Sequence, residues 1–471
     1  MSDSPAAEGA AHPKRTVAIL AIATLAFSLQ QTMILPALPA FQERFGVSPA
    51  TSAWLLTAFL LSSAITTPIV GRLGDMHGKA RMLLVALVIF AAGSVLAAVA
   101  GSFAVVLAGR TVQGAGAAIL PLSIGIVRDE LPHERVGVAI GTLSSMLGIG
   151  GAAALLLAGL LIDHLGIAWL FWSSFIVTAA AAALTLLFVP ESPVRAPDRI
   201  DVPGALLLAV ALVALLLAVS EGNSWGWSSA RIAGLLAGTA FLTVLWIAWE
   251  RHATSPFVDL PLMRRREVWT TNIVAMGIGA AMFGSFVLIP QLAQTPVSTG
   301  YGFGAGVAAA GLVLLPCAVA MLVAGPAAGS LGVRFGARLP LCVGCVAAAA
   351  SYVWFAALHA HEWQLYVGSA ILGVGLGLGM SAMGNVVVHA VPQRQTGIAT
   401  ALNMIARSIG GAVGAQAAAA ILTASAVTGR LPAESGYSDA FLLSAGAALI
   451  AWAGAVAIPR RSRAASRAVA A

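Results

Sequence analysis

Asp75 lies in the stretch GRLGDMHGKARML, residues 71–83, beside Arg72, His77, Lys79 and Arg81 and between two long apolar runs. A carboxylate at this spacing can cap the amino terminus of a helix or pair with a cation from elsewhere in the chain. Gly71, Gly74 and Gly78 let two helix ends approach closely and turn sharply between them. Arg110 and Arg407 fall inside apolar runs, where an ionisable side chain is expensive and usually functional. Neutral polar residues share such runs: Gln30, Gln31 and Thr32 early in the chain, Gln113 near Arg110, Asn403 near Arg407. Each can bond a neighbouring helix. Together with Met33, Trp54 and Phe283 they outline a polar hollow with greasy walls, suited to amphipathic organic molecules.

Other patterns carry less chemistry. Cys317, Cys342 and Cys345 all lie in apolar stretches, and the CxxC of LCVGCV has no second pair to complete a zinc site, so packing is the expected role. GVGLGLG, residues 373–379, lies mid-run without a preceding strand, so it reads as a close-packing glycine face and not a dinucleotide loop. No catalytic triad, metal cluster or phosphate loop is evident, so neither enzymatic chemistry nor ATP-driven pumping is expected.

The elements that hold these residues follow from composition. The 471 residues are 59% hydrophobic and only 9% charged, against about 25% charged in a soluble domain. Such a chain cannot cover a water-facing surface. A helix needs roughly 20 apolar residues to cross the hydrocarbon layer, and fourteen runs qualify, from 16–38 to 440–458. Their length and lack of period-two alternation exclude a closed barrel. The first run is too long for a signal peptide and reads as the first span.

Charge tests the count. With the amino terminus inside and spans alternating, 20 of the 25 Lys and Arg fall in inner segments and three in outer loops, with Arg110 and Arg407 inside spans. That bias obeys the positive-inside rule, so the net charge of +7 marks topology and not nucleic-acid binding. The basic tail RRSRAASR, 460–467, would fix topology or meet anionic headgroups.

The chain is also duplicated. GRLGDMHGKARML aligns with GSLGVRFGARLPL, 329–341, at an offset of 258, matching Gly71, Leu73, Gly74 and Gly78 to Gly329, Leu331, Gly332 and Gly336. GVAIGTLSSMLGIGGA, 137–152, matches GIATALNMIARSIGGA, 397–412, at an offset of 260. The expected organisation is a cytoplasmic tail (1–15), a six-helix bundle (16–189), a linker with two inserted spans (190–269), a second six-helix bundle (270–458) and a basic cytoplasmic tail (459–471). The fold class is thus an all-α polytopic membrane protein, whose two related bundles flank a central cavity in the manner of alternating-access carriers.

These residues resemble the major facilitator superfamily, and within it the fourteen-span drug:proton antiporters of the QacA/EmrB type. The likeness rests on residues 71–81, on LAGRTVQGAGAAILP (107–121), on WLLTAFLLSSAITTPIVGRLGD (54–75), and on DVPGALLLAVAL with the later SEGNSWGW (201–227). It implies a cytosolic gate built from Gly71, Arg72, Gly74, Asp75, Gly78, Lys79 and Arg81, made when the carrier faces outward and broken when it opens inward. It places Arg110 toward the central cavity. Substrate contacts would come from Gln30, Gln31, Thr32, Trp54, Arg110, Gln113, Asn403 and Arg407, and proton coupling from Asp75, Asp163 or Arg110. The implied partners are a small-molecule substrate, protons and the bilayer, with no cofactor and a monomeric chain in a cytoplasmic membrane, both termini inside.

Two departures stand out. Gln30 occupies the place of the family's first-span acid, and the fifth-span motif keeps Gly150, Gly151 and Gly159 without its proline. All 18 acids map to loops, tails or span edges. A proton-independent carrier or exchanger for an anionic metabolite therefore stays open, as does a membrane sensor or scaffold that transports nothing.

Overall fold

A computed structural model describes residues 13–192, 201–426 and 431–459. Residues 1–12, the tail 460–467, and Arg195, Arg199 and Arg430 from the charge count lie outside the described residues. Every regular element described is helical.

The first bundle contains α1 (Pro13–Phe45), α2 (Pro49–His77), α3 (Lys79–Ala98), α4 (Phe103–Ala115), α5 (Ile119–Glu130), α6 (His133–Leu165) and α7 (Trp169–Phe188). The insertion contains α8 (Val202–Trp225), α9 (Ala230–His252) and the single turn α10 (Leu260–Met263). The second bundle contains α11 (Arg266–Gln294), α12 (Val307–Val313), α13 (Leu315–Phe335), α14 (Arg338–Ala357), α15 (Glu362–Ala390), α16 (Thr396–Ala424) and α17 (Glu434–Ala457). Two crossings are broken: α4 gives way to α5 at a turn after Ala115, and α12 to α13 ahead of Pro316. Counting each broken pair once, fourteen helical segments are long and apolar enough to cross a membrane. The protein is multi-pass, with six crossings in each bundle and two between.

Local sequence sets the helix ends. Ser48 accepts from the Thr51 backbone N–H at the start of α2, with Pro49 in the first turn, and Asp201 does the same from Gly204 for α8. Gly78 (φ +113°) and Gly336 (φ +83°) make the turns after α2 and α13, a backbone region that strains any residue with a Cβ.

The insertion flanks the bundles. One face of α8 lies on α2 and α16: Leu208, Leu212 and Leu216 share an apolar cluster with Ala64, Ile398 and Ile405. Outside it, α9 buries only Ile232 and Glu250. In a membrane, α9 presents its remaining apolar side chains to lipid.

Three of the acids expected at span edges lie at or near the last turn of a helix, because the helices run past the apolar segments that announced them. Asp75 belongs to α2 (fully buried), Glu221 to α8 and Glu250 to α9, the last two more than nine-tenths buried. Glu250 accepts from the Trp246 indole (3.0 Å) and Val258 N (3.3 Å), so the loop after α9 folds back over it.

Candidate functional site

Two seams join the bundles. In the first, α6 runs antiparallel to α13 along a line of small residues. Gly141 meets Gly325 so closely that a Cβ on Gly141 would lie 2.2 Å from the Gly325 carbonyl oxygen. Gly137 meets Gly329 in the same way, and the Ser145 hydroxyl donates to the Met321 carbonyl oxygen at 2.7 Å. Further along, Gly311 of α12 packs on the Leu155–Leu156 backbone. Lipid offers no hydrophobic drive for joining helices, so such close backbone contact supplies the cohesion.

The second seam, between α2 and α16, is tightest at residues 71–79. Gly71 and Gly397 touch: a Cβ on Gly397 would sit 2.5 Å from the Gly71 oxygen. One turn on, Asp75 Oδ1 accepts from the Gly397 N–H and Oδ2 from the Ile398 N–H, both at 3.1 Å. These are the first amides of α16, otherwise without intrahelical partners, and they carry the positive end of its dipole. A carboxylate of one bundle thus caps a helix of the other.

The cap is braced from behind. Lys79 is fully buried, its Nζ 3.5 Å from Asp75 and 2.6 Å from Asp129 Oδ2. Its stem lies where a side chain on Gly125 would be; a Cβ there would come 2.6 Å from Lys79 Cδ. Arg128 crosses to the second bundle, donating to Thr396 Oγ1 (2.6 Å) and the Val391 carbonyl oxygen (2.8 Å). Glu191 accepts from Ala80 N (3.2 Å) and Arg81 N (3.0 Å), capping α3 as Asp75 caps α16. Each carboxylate faces a cation or a helix start, which offsets the cost of desolvating it.

Between the bundles, α5, α6, α15 and α16 enclose a cavity of about 30 Å³. Its walls are mainly apolar, with Leu120, Leu147, Met380, Met383 and Met404 among them, and its polar groups are Ser144, Thr400, Asn403 and Arg407. A space this size holds one or two waters. With the seam at residues 71–79 closed, the hollow is nearly filled by its own walls.

The model of the Major Facilitator Superfamily matches residues 20–415, with a second match over 274–471. The chain belongs to the Major Facilitator Superfamily. It is 30% identical over 423 residues to the tetracenomycin C resistance and export protein of Streptomyces glaucescens, covering 88% of this chain and 77% of that protein. Multidrug resistance protein Stp of Mycobacterium tuberculosis is 29% identical over 82% of this chain and 72% of its own length. The multidrug transporter protein MdtP of Bacillus subtilis is 26% identical over 87% and 76%. Among solved structures, the human organic anion transporter MFSD10 (TETRAN) superposes with a TM-score of 0.69 at 16% identity, over 94% of this chain and 99% of that one. At that identity the match speaks for the fold alone. The three bacterial relatives are thus named for resistance and export, multidrug resistance and multidrug transport.

Within the superfamily fold, the expected gate residues do not all play one part. Gly71, Asp75 and Lys79 meet the seam or its bracing, Gly74 packs on Leu122, and Gly78 makes the turn under Glu191. Arg72 is buried, whereas Arg81 is exposed and contributes its backbone N–H to Glu191. Asn403 and Arg407 line the cavity. Asn403 also donates to the Asn272 side-chain oxygen at 3.0 Å.

Arg110 is placed differently from its expected position toward the cavity. Gly93 and Gly109 bring the α3 and α4 backbones together, which turns the polar face of α4 onto α2 and α3. There Arg110 donates to the Leu55 carbonyl oxygen (3.1 Å) and to Gln113 (2.8 Å), with its guanidinium carbon 4.3 Å from the centre of the Phe59 ring. Gln113 passes the chain on to the Ser94 hydroxyl at 2.8 Å. A carbonyl, an amide oxygen and a ring hold this cation inside the first bundle, while its Nη2 has no hydrogen-bond partner among the described residues.

Gln30 is completely buried, and neither amide atom has a hydrogen-bond partner among the described residues. Gln31, Thr32 and Trp54 are half-buried, and Asp163 is exposed near the end of α6. Sequence reasoning passed over Arg128, Asp129, Glu191, Ser144 and Thr400. The acids after the fourth and sixth spans were the available signal, since a loop full of cations needs counter-charges, but their partners are fifty and more than a hundred residues away.

Proposed function

We propose that the protein is a secondary active exporter of hydrophobic or amphipathic small molecules, resident in a bacterial-type cytoplasmic membrane with both termini inside. Transport proceeds by rocking of the two bundles about the midplane hollow, driven by proton antiport. The single observation that carries this reading is the Asp75 carboxylate on the first amides of α16, a contact between bundles that a rocking motion must break. Export by the relatives supports the direction, and the apolar hollow supports the substrate class.

In this scheme the closed seam holds the inner face shut. Opening inward separates Asp75 from α16 and strips its charge of the two helix amides, so a proton taken up there lowers the cost of the inward state. Release of the proton lets the carboxylate recapture the Gly397 and Ile398 amides and closes the inner face again. No carboxylate lines the cavity, so coupling runs through the seam and not by direct exchange at the substrate.

The test is efflux of a panel of dyes and antibiotics from a bacterial host stripped of its own pumps, repeated with an uncoupler. Export that collapses with the pH gradient is expected. Export that persists after the gradient is dissipated would overturn proton antiport and favour an exchanger.

A further inference from the structure

The two arginines expected inside the membrane differ in their surroundings. Arg110 is held away from the cavity by a carbonyl, an amide and a ring, with its Nη2 alone unpartnered among the described residues. Arg407, more than nine-tenths buried on α16, has no hydrogen bond and no ion pair among the described residues, yet it lines the cavity. No acid shares that cavity; its other polar groups, Ser144, Thr400 and Asn403, are neutral. An uncompensated buried guanidinium is among the costlier features a membrane protein can keep until a counter-charge arrives. Its neighbours cannot supply that charge. A ligand can.

The geometry points to Arg407 as the anchor for an anionic group on the transported molecule: a carboxylate, sulfonate or ionised acidic hydroxyl carried on an apolar, ring-sized body. This inference rests on the export reading above and narrows it to a substrate class. The guanidinium suits the task, since its fixed fork can give two parallel hydrogen bonds to one oxyanion. Asn403, one helical turn earlier on α16, and Thr400, a further turn back, place neutral polar groups beside the same space. Met380, Met383 and Met404 form a soft wall that can repack around differing aromatic bodies as the hollow widens. The site therefore fixes the charge and leaves the shape loosely specified.

The experiment uses the purified full-length chain and a matched pair of probes, naphthalene-2-sulfonate and the neutral naphthalene-2-sulfonamide, titrated calorimetrically. The wild type should bind the sulfonate at least about tenfold more tightly, in keeping with a charge-assisted bidentate contact. Arg407→Gln should erase that preference to within about twofold, with thermal unfolding no lower than in the wild type because an unpaired buried charge is removed. Arg407→Lys keeps the charge but loses the fork, so it should retain a reduced preference. Equal affinity for both probes, binding of neither, or a preference that survives Arg407→Gln would each overturn the proposal. Should the Gln variant not fold, the wild-type comparison and the Lys variant still decide. Flux of the same probes in proteoliposomes separates the two readings. Arg407-dependent binding without movement removes export and keeps the anion site, whereas charge-blind binding with movement of a cationic dye does the reverse.

Discussion

The duplicated knot appears twice, at 71–81 and 329–341, and the copies have diverged in a telling way. Their glycines do the same work. Gly71 seats on Gly397 of the other bundle, and its counterpart Gly329 seats on Gly137, which is the counterpart of Gly397. Gly78 and Gly336 make the same positive-φ turn. The charges differ. Asp75 is fully buried on the start of α16, while Val333 in its place is 61% exposed. Lys79 is clamped between two carboxylates, and Ala337 takes its position. Duplication supplied the close backbone contact to both seams; only one acquired a contact whose strength depends on charge. The two seams thus share their backbone packing and differ in one charge-dependent cap.

That contrast can be broken from its strong side first. Asp75→Asn keeps the size but replaces a charge-assisted pair of hydrogen bonds with weaker ones and leaves Lys79 facing Asp129 alone. Transport of any exported dye should drop by more than about tenfold, the closed seam losing about 2 kcal/mol, while membrane insertion, checked by fractionation, stays normal. Wild-type efflux in this variant would remove the cap from the mechanism.

Gly329→Ala tests the shared backbone packing. Its Cβ would come 2.3 Å from the Gly137 oxygen, closer than the 2.9 Å that a Cβ on Gly71 would leave to Gly397. Both obstacles are backbone, so the helices must part. Thermal unfolding in detergent should fall in line with about 1–3 kcal/mol of overpacking, more than for Gly71→Ala. Equal tolerance of both would mean that the α6–α13 seam is looser than its contacts imply.

Glu191→Gln removes the charge that caps α3 behind the cap. A loss of about 1 kcal/mol from the α3 start, and efflux reduced by about two- to threefold, are expected. Smallest of all is Val333→Asp, which restores the acid to the second copy. The side chain is exposed and has no buried helix start to cap, so efflux should stay within about twofold of wild type and stability within about 0.5 kcal/mol. A marked gain or loss there would show that the second copy can also act as a cap.

Much of the architecture was legible because lipid imposes simple rules. Fourteen apolar runs, a one-sided distribution of arginine and lysine, and two alignable halves can be read without coordinates, since each depends on composition or on spacing along one helix. The glycines of the knot were legible for the same reason: their need for close approach shows in residue type. The partners of Asp75 were not. A backbone amide has no sequence signature, and Gly397 and Ile398 lie 322 and 323 residues away. The fate of the two arginines was equally hidden. Arg110 and Arg407 look alike in the sequence, each an isolated cation in an apolar run.

The sequence by itself determined that this chain crosses a membrane fourteen times, in two related groups of six with a pair between, because its apolar runs are too long and unalternating for a barrel and hydrocarbon then leaves only helices with their backbones satisfied internally. Tertiary structure alone decided which charges matter and how. Helix rotation turned Arg110 onto a carbonyl and a ring and left Arg407 bare beside the hollow. The approach of two bundles brought the amides of α16 to Asp75. Rotation and approach are set by packing between distant segments, where the cost of a buried charge depends on what stands opposite, and no local pattern along the chain records that.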